Sequence, residues 1–207
     1  MHRLGIAFVA LVSLAPLAAA AQAPRAVLTG PFVQMGLVAG SVTKDSDPID
    51  KNHTGTGWGA GAGLDLSRWF TVLAEYSIYR VENDAPHRYN LEQSAIGIRL
   101  RVGGEQTPVV FYVEGGGAIR RATLSPVEVY GNDPPSSNDV DVDGWSGWFG
   151  PGAQFYVFGP RVPLDLSVAW AWGRLRRGHV EGTTFTLANP IGITTLRLRV
   201  GIAAALF

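Results

Sequence analysis

The chain has 207 residues, of which 46% are hydrophobic and 16% are charged, with 26 glycines, 13 prolines and no cysteine. This composition excludes a disordered polar chain and a disulfide-stabilised scaffold. Lysine and arginine together number 17, as do aspartate and glutamate, so the chain carries no net charge that would attract nucleic acid. We therefore expect one folded domain that does not bind nucleic acid.

The first residues have the pattern of a secretory signal peptide. Basic Arg3 precedes an apolar run, Leu4–Leu17, and small residues follow it up to Ala19–Ala21. A second small-x-small site two residues later would put a proline directly after the cut, which is less favourable. A serine and a proline interrupt the apolar run, which is shorter than the ~20 residues of a spanning helix, so an uncleaved anchor is disfavoured. The predicted division is signal peptide 1–21 and mature domain 22–207.

Strict alternation of apolar residues with small or polar residues recurs along the rest of the chain. A period of two over many residues is typical of β-strands and not of helices. Eight such runs predict eight strands. In chain order, the apolar sides of these runs cover Val33–Ala39, Trp58–Leu66, Phe70–Ile78, Ile96–Val102, Val109–Val113, Phe149–Val157, Leu164–Trp172 and Leu196–Ile202.

The predicted connections alternate between short and long. Tight links fall at residues 67–68, 103–107 and 159–161. Long polar links fall at residues 44–53, 82–88, 124–143 and 176–189. Short turns at one end, long loops at the other and an even strand number are typical of a bacterial outer-membrane barrel. The predicted fold is all-β, an eight-stranded antiparallel transmembrane up-and-down β-barrel with periplasmic termini and four extracellular loops.

The alternative fold is a soluble β-sandwich, which also shows alternation. A sandwich needs a packed apolar core between its sheets and a face polar enough for water. Here the side opposite the large apolar residues carries glycine, alanine and a few charges. The residues on that side are too small and too often charged to form either a packed core between sheets or a typical solvated face. An apolar outer face towards lipid fits better, and the bilayer then requires the sheet to close on itself.

The inward side of the predicted barrel carries four acidic and four basic residues. They are Asp65, Glu75, Arg99, Arg101, Glu114, Asp165, Arg197 and Arg199. The lumen of an eight-stranded barrel is just wide enough for side chains, and charges in it are costly unless paired. Because arginine can bind carboxylates through two parallel hydrogen bonds, we expect a salt-bridged plug with trapped water. The alternative interpretation is a gated path for small ions along the same charges.

One hairpin carries a more specific signal. Asp65 precedes the tight turn, the aromatic residues Trp69 and Phe70 follow it, and a Glu75-Tyr76 pair lies further up the next strand. This hairpin resembles the second hairpin of the small eight-stranded outer-membrane barrels related to the transmembrane domain of outer-membrane protein A.

The resemblance implies an outer-membrane location, contact with outer-membrane lipids and lipopolysaccharide, and insertion by the barrel-assembly machinery. The final aromatic residue, Phe207, corresponds to the assembly signal of that class. In such signals the apolar residues share parity with the final aromatic, whereas Leu198 to Leu206 have the opposite parity. Either a bulge lies near Ala203–Ala205 or the signal is atypical.

Enzymatic function is a further alternative, because some barrels of this size modify lipids. The deacylases among them use a His-x-Ser pair, which is absent from this sequence. The palmitoyltransferases begin with an amphipathic helix, for which residues 22–28 leave no room. We therefore predict no catalytic residue and no cofactor, and a structural or surface-interaction role through the loops, with an extracellular partner left open. The rivals are a narrow channel for ions or small amphiphiles and a lipid-modifying enzyme.

Two groups of residues suggest metal chemistry but are better explained without it. His53, His87 and His179 fall near predicted outer strand ends and are expected to be solvated loop or interface residues. The segment Asp139–Gly144 has the D-x-D-x-D-G opening of a calcium loop. The twelfth position, where such a loop needs glutamate, is Gly150, so we expect an acidic surface loop and no metal site.

Overall fold

Eight antiparallel strands follow one another in chain order and close into a single barrel. The computed structural model describes residues 29–44, 53–82, 89–102, 108–124, 140–159, 161–180 and 183–206. The strands are β1 Gly30–Lys44, β2 His53–Asp65, β3 Phe70–Glu82, β4 Tyr89–Val102, β5 Val109–Leu124, β6 Val140–Phe155, β7 Leu164–Val180 and β8 Thr183–Ala205. Among these residues, no helix is long and apolar enough to cross a membrane.

Closure is made by the first and last strands. β1 pairs with β2 on one side and with β8 on the other. The β1–β8 register runs without a shift from Phe32 opposite Ala205 to Lys44 opposite Ile193. Every strand therefore has two hydrogen-bonded neighbours, as a sheet in hydrocarbon requires. The predicted eight-stranded antiparallel barrel is confirmed.

The two faces of the barrel wall divide the residues as the alternation predicts. Large apolar side chains point outward and are well exposed, for example Leu37 (74%), Ile96 (71%) and Trp170 (44%). Their neighbours along each strand point inward and are buried. Exposed apolar side chains surround the whole barrel, and an apolar surface of this extent matches the lipid-facing band of an outer-membrane barrel.

The strands at the loop end are longer than the sequence predicts. The connection predicted at 176–189 is wrong, because β7 continues to Val180 and β8 begins at Thr183. This segment of β8 is rich in threonine and includes Phe185, residues that favour strands, and it pairs with β7 from Arg177 to Val180. The predicted loop 124–143 is also shorter, since β6 begins at Val140.

The pairing at the end of β8 tests the bulge, one of the two explanations for the parity of the assembly signal. The pairing of β8 with β1 stays in register through Ala203–Ala205, so the bulge that was one of the two alternatives is absent from that described segment. Phe207 itself and the signal peptide 1–21 lie outside the described residues. Their roles in assembly and export remain predictions.

A cysteine placed on the apolar band tests the lipid-facing assignment. In lipid vesicles, Ile98→Cys should resist a water-soluble maleimide, because the outward side chain at this position lies in hydrocarbon. Asn189→Cys, on the exposed extension of β8, is the control and should react readily. Both should react after denaturation. Equal labelling of the two variants in intact vesicles would refute the assignment.

Candidate functional site

The lumen is filled by large side chains that lie over small ones. A Cβ atom at Gly63 on β2 would lie 2.5 Å from the ring of Phe32, and one at Gly152 on β6 would lie 2.2 Å from the ring of Tyr112. The bare inward positions of these strands thus supply the space that the neighbouring rings occupy. The alternation of glycine with apolar residues therefore packs the inside of the barrel as well as shaping its wall.

Three carboxylates and three guanidinium groups meet in the middle of the lumen. Arg199 contacts all three acids: Glu75, Glu114 at 3.2 Å and Asp165 at 3.0 Å. Arg197, two residues earlier on the same strand, binds the other oxygen of Glu75. β8 thus supplies two of the three cations, and β3, β5 and β7 supply one acid each.

The third cation, Arg99 on β4, joins two of the same acids from the opposite side. Its Nε and Nη2 donate to Glu114 at 3.0 and 2.8 Å, and its Nη1 donates to Asp165 at 3.3 Å. The guanidinium carbon lies 4.0 Å from the centre of the Tyr112 ring, and the Tyr112 hydroxyl donates to Asp165 at 2.8 Å. The arginine is thereby fixed by charge, by hydrogen bonds and by an aromatic face.

Two glutamines extend this lumen hexad, which comprises Glu75, Arg99, Glu114, Asp165, Arg197 and Arg199. Gln34 on β1 donates to Glu75 and accepts from Arg99, each at 3.3 Å. Gln154 on β6 donates to Asp165 at 3.2 Å. Every member of the hexad is at most 6% exposed, and its three positive charges balance its three negative charges.

The other two predicted lumen charges form a separate pair near the turn end of the barrel. Arg101 contacts Asp65 at 2.8 Å, and Thr71 donates to the same carboxylate at 2.6 Å. The structure therefore places all eight predicted charged residues inside the barrel, six in the lumen hexad and two in this pair.

A ninth lumen charge, Arg120 on β5, was missed by the sequence analysis. Arg120 is 2% exposed and donates to Gln93 at 3.1 Å, to Thr195 at 2.5 Å and to the Ile193 carbonyl at 3.5 Å. None of the described carboxylates contacts it. The predicted β5 run stopped at Val113 because three glycines follow Glu114. Continuing the same parity across those glycines would have placed Arg120 inward.

Above Arg120, at the loop end, the lumen is lined mainly by apolar side chains, together with the inward His53, the cross-strand partner of Val42. The buried side chains of this apolar layer are Val38, Val42, Tyr79, Val81, Leu91, Ala122, Val142, Leu175 and Ile193. They come from the loop-end halves of seven strands. The lumen therefore changes from charged in its middle to apolar near the loops.

One of the three histidines differs from its predicted surroundings. His53 was expected to be solvated, which is wrong, because this first residue of β2 points inward and is only 4% exposed. His179 lies on the outer wall and contacts Asp143 and Thr184 at 2.9 Å through its two ring nitrogens. His87 lies outside the described residues.

The acidic segment also differs from the predicted surface loop. Asp141 and Asp143 belong to strand β6, and arginines occupy their carboxylates. Asp141 accepts from Arg121 and Asp143 accepts from Arg177. Asp139 lies outside the described residues. Within the described ranges, no group of three or more histidine or acidic side chains is placed to hold a metal ion.

The chemistry available in the lumen is electrostatic neutralisation. A gap beside Glu75, Asp165 and Arg199 measures about 10 Å³, roughly the space of one water molecule. Each of the three hexad carboxylates accepts at least two charge-assisted hydrogen bonds. This arrangement stabilises paired charges in a site from which bulk water is excluded.

The same architecture occurs in known outer-membrane proteins. Residues 5–188 match the family model described as outer membrane protein beta-barrel domain. The structure is similar to neisserial surface protein A, with a TM-score of 0.59, 15% identity, and coverage of 85% of this chain and 97% of the other. It is also similar to Ail, the attachment invasion locus protein of Yersinia pestis, with a TM-score of 0.50, 15% identity, and coverage of 85% and 99%. At this identity the structural likeness concerns the fold alone. No curated protein sequence matches the chain significantly.

Removing one member of the lumen hexad should destabilise the barrel strongly. Glu75→Ala leaves Arg197 and Arg199 without their shared carboxylate, and an uncompensated buried charge typically costs about 3–5 kcal/mol. The control Asp141→Ala breaks a pair whose arginine is 53% exposed, so its cost should not exceed about 1 kcal/mol. Urea unfolding of the refolded protein in vesicles measures both.

The double variant Glu75→Ala/Arg197→Ala tests whether the charges neutralise one another. Its loss of unfolding free energy should be smaller than the sum of the two single losses. Strict additivity would show that the two side chains do not compensate each other, and would contradict the pairing.

Proposed function

The chain belongs to the outer membrane protein β-barrel family, and on this basis we propose that it is a closed barrel that acts through its loop end. Its location is the outer membrane, as for the family. We propose a structural and surface-interaction role in which the barrel holds the loop end at the cell surface. No solute pathway through the lumen is part of this role.

The observation that carries the proposal is the filled lumen. The lumen hexad occupies the middle of the barrel, and the apolar layer of nine buried side chains lies between it and the loops. An ion entering from the loop end would have to shed its water among apolar groups before it met any charge. Below that layer it would meet Arg120, whose described partners are all neutral and whose charge repels cations, and then the hexad, whose charges are balanced. Both features favour a closed plug over the rival ion channel.

The loop end supports the surface-interaction part of the proposal. About 9–11 tilted residues suffice for a strand to cross a bilayer, whereas β7 has 17 residues and β8 has 23. The β7–β8 pairing continues to Val180 and Thr183, beyond the last β1–β8 pair at Lys44 and Ile193. Strand extensions of this kind raise the paired ends of β7 and β8 above the membrane, where partner contacts are made.

We propose that the loop end faces the exterior and that both termini are periplasmic. The predicted signal peptide 1–21 would deliver the chain to the periplasm. Phe207 would then be recognised by the barrel-assembly machinery. We also propose that the chain is not an enzyme, since the carboxylates of the lumen hexad are engaged by arginines and offer no free base.

Conductance separates the closed plug from the channel. In planar bilayers, the refolded protein should give no single-channel steps, because the apolar layer and the hexad block the lumen. Arg161→Gln, at the turn end, should behave in the same way. Steps in the wild-type protein whose ion selectivity changes in Arg120→Gln, but not in Arg161→Gln, would make the channel the better interpretation.

Antibody access tests the orientation. An epitope tag inserted at Ser136, in the predicted third loop, should bind antibody on intact cells. The same tag inserted within residues 103–107, in a predicted periplasmic turn, should bind only after the outer membrane is permeabilised. The reverse pattern would invert the proposed topology.

A further inference from the structure

Outward-facing arginines lie directly beyond the apolar band at the loop end. On β5, β6 and β7, the cross-strand partners Ile119, Trp145 and Arg174 form one row of the outer wall. The next row towards the loops is Arg121, Asp143 and Arg177. The Trp145 side chain is 70% exposed, so an aromatic ring and a guanidinium stand side by side on the same face.

This part of the wall has more positive than negative charge. Arg121 and Arg177 bind Asp141 and Asp143, yet their side chains remain 53% and 56% exposed, and each guanidinium carries five N–H groups. Two further arginines, at positions 174 and 176, are exposed and form no ion pair with any described residue. Glu92 on β4 is the cross-strand partner of Arg121 and adds a third acid to this part of the wall. Four arginines therefore stand against two aspartates and one glutamate, which leaves one net positive charge.

The same order recurs on another part of the wall. Trp58 and Ile78 are cross-strand partners, and the next row towards the loops is Thr56 and Arg80. A groove of about 130 Å³ opens there, lined by Arg80, Thr54, Thr56 and the backbone of Gly55. The groove offers a guanidinium and two hydroxyl groups to a ligand. We call Arg80, Arg121, Arg174, Arg176 and Arg177 the arginine collar.

The position of the collar relative to the apolar band indicates its ligand. Aromatic residues of outer-membrane barrels lie at the boundary between hydrocarbon and headgroups, so Arg174, in the row of Trp145, lies at that boundary and the next row outward lies at headgroup level. Guanidinium groups match the geometry of phosphate and bind it through two parallel hydrogen bonds. A soluble acidic protein would have to approach these side chains along the membrane plane, beside Trp145 and Trp172, which face lipid. In a bilayer, that space is the headgroup layer of the surrounding lipids.

We propose that the arginine collar binds the phosphate groups of phosphorylated lipids in the outer leaflet, with Trp145 against the adjoining part of the lipid. This goes beyond the proposed function. It rests on the proposed orientation only for the choice of leaflet.

Lipid retention by the folded protein tests the proposal. The protein is refolded in uncharged detergent micelles, and native mass spectrometry measures retention of diphosphorylated lipid A and of the same lipid after removal of its phosphates. The wild-type protein should retain the phosphorylated form preferentially. Arg174→Gln/Arg176→Gln should weaken that binding about tenfold or more, because it removes two charge-assisted contacts.

The matched control is Arg68→Gln/Arg161→Gln, which removes the same charge from exposed residues at the turn end and should retain the lipid as the wild type does. Arg174→Lys/Arg176→Lys keeps the charge but loses the forked geometry, so it should bind with intermediate strength. This variant also provides the test if the glutamine variant does not fold, as judged by its heat-dependent gel mobility.

Equal retention of the phosphorylated and dephosphorylated lipids would overturn the proposal. Equal weakening in the collar and turn-end variants would overturn it as well, since binding would then follow overall charge. Retained lipid binding in the collar variant together with lost binding of an acidic protein would assign the surface to a protein partner. None of these results depends on conductance or antibody access, so failure of the collar is distinguishable from failure of the proposed function.

Discussion

Charge balance inside a barrel with no room for bulk water is the constraint on which the rest of this structure depends. An eight-stranded barrel leaves a lumen only as wide as its side chains. Any ionised group in it needs either an opposite charge or hydrogen bonds to neutral groups, and Arg120 has the latter from Gln93 and Thr195. The hexad meets this need with three acids and three arginines drawn from five strands. Arg199 alone contacts acids from β3, β5 and β7.

The same network also specifies how the strands align. Buried ion pairs are weak evidence for stability as such, because desolvation offsets much of their attraction. They are stronger determinants of register, since a slip of one residue would turn a strand's inward charges towards lipid. A slip of β8 would move Arg197 and Arg199 to the outer face and leave Glu75 unpaired inside. The apolar outer face and the charged inner face thus enforce one alignment from opposite sides of the wall.

Alternation was the informative signal in the sequence, and it predicted the strand number, the closed architecture and the inward placement of the eight charged residues. It was less informative where consecutive glycines carry no side chain, and where two paired strands extend beyond the rest of the barrel. The three consecutive glycines after Glu114 interrupt the alternation, so the second half of β5, which includes Arg120, was not predicted. The polar, threonine-containing segment near residues 183–189 resembled a loop because pairing between β7 and β8, and not burial, keeps it extended. Which acid binds which arginine also could not be predicted, because partners such as Arg197 and Glu75 lie 122 positions apart in the chain.

The pairing of β1 with β8 has a consequence for biogenesis. β1 is the first and β8 the last of the eight strands, so the ring can be completed only when the chain from β1 through β8 is available. A product that ends before β8 would leave the edges of β1 and β7 unpaired and would lack Arg197 and Arg199. Such a product would carry open hydrogen-bonding edges and uncompensated acids together, two features that oppose entry into hydrocarbon. The architecture therefore favours membrane insertion of chains that include β8 and leaves those that end before it in the aqueous compartment, exposed to proteolysis.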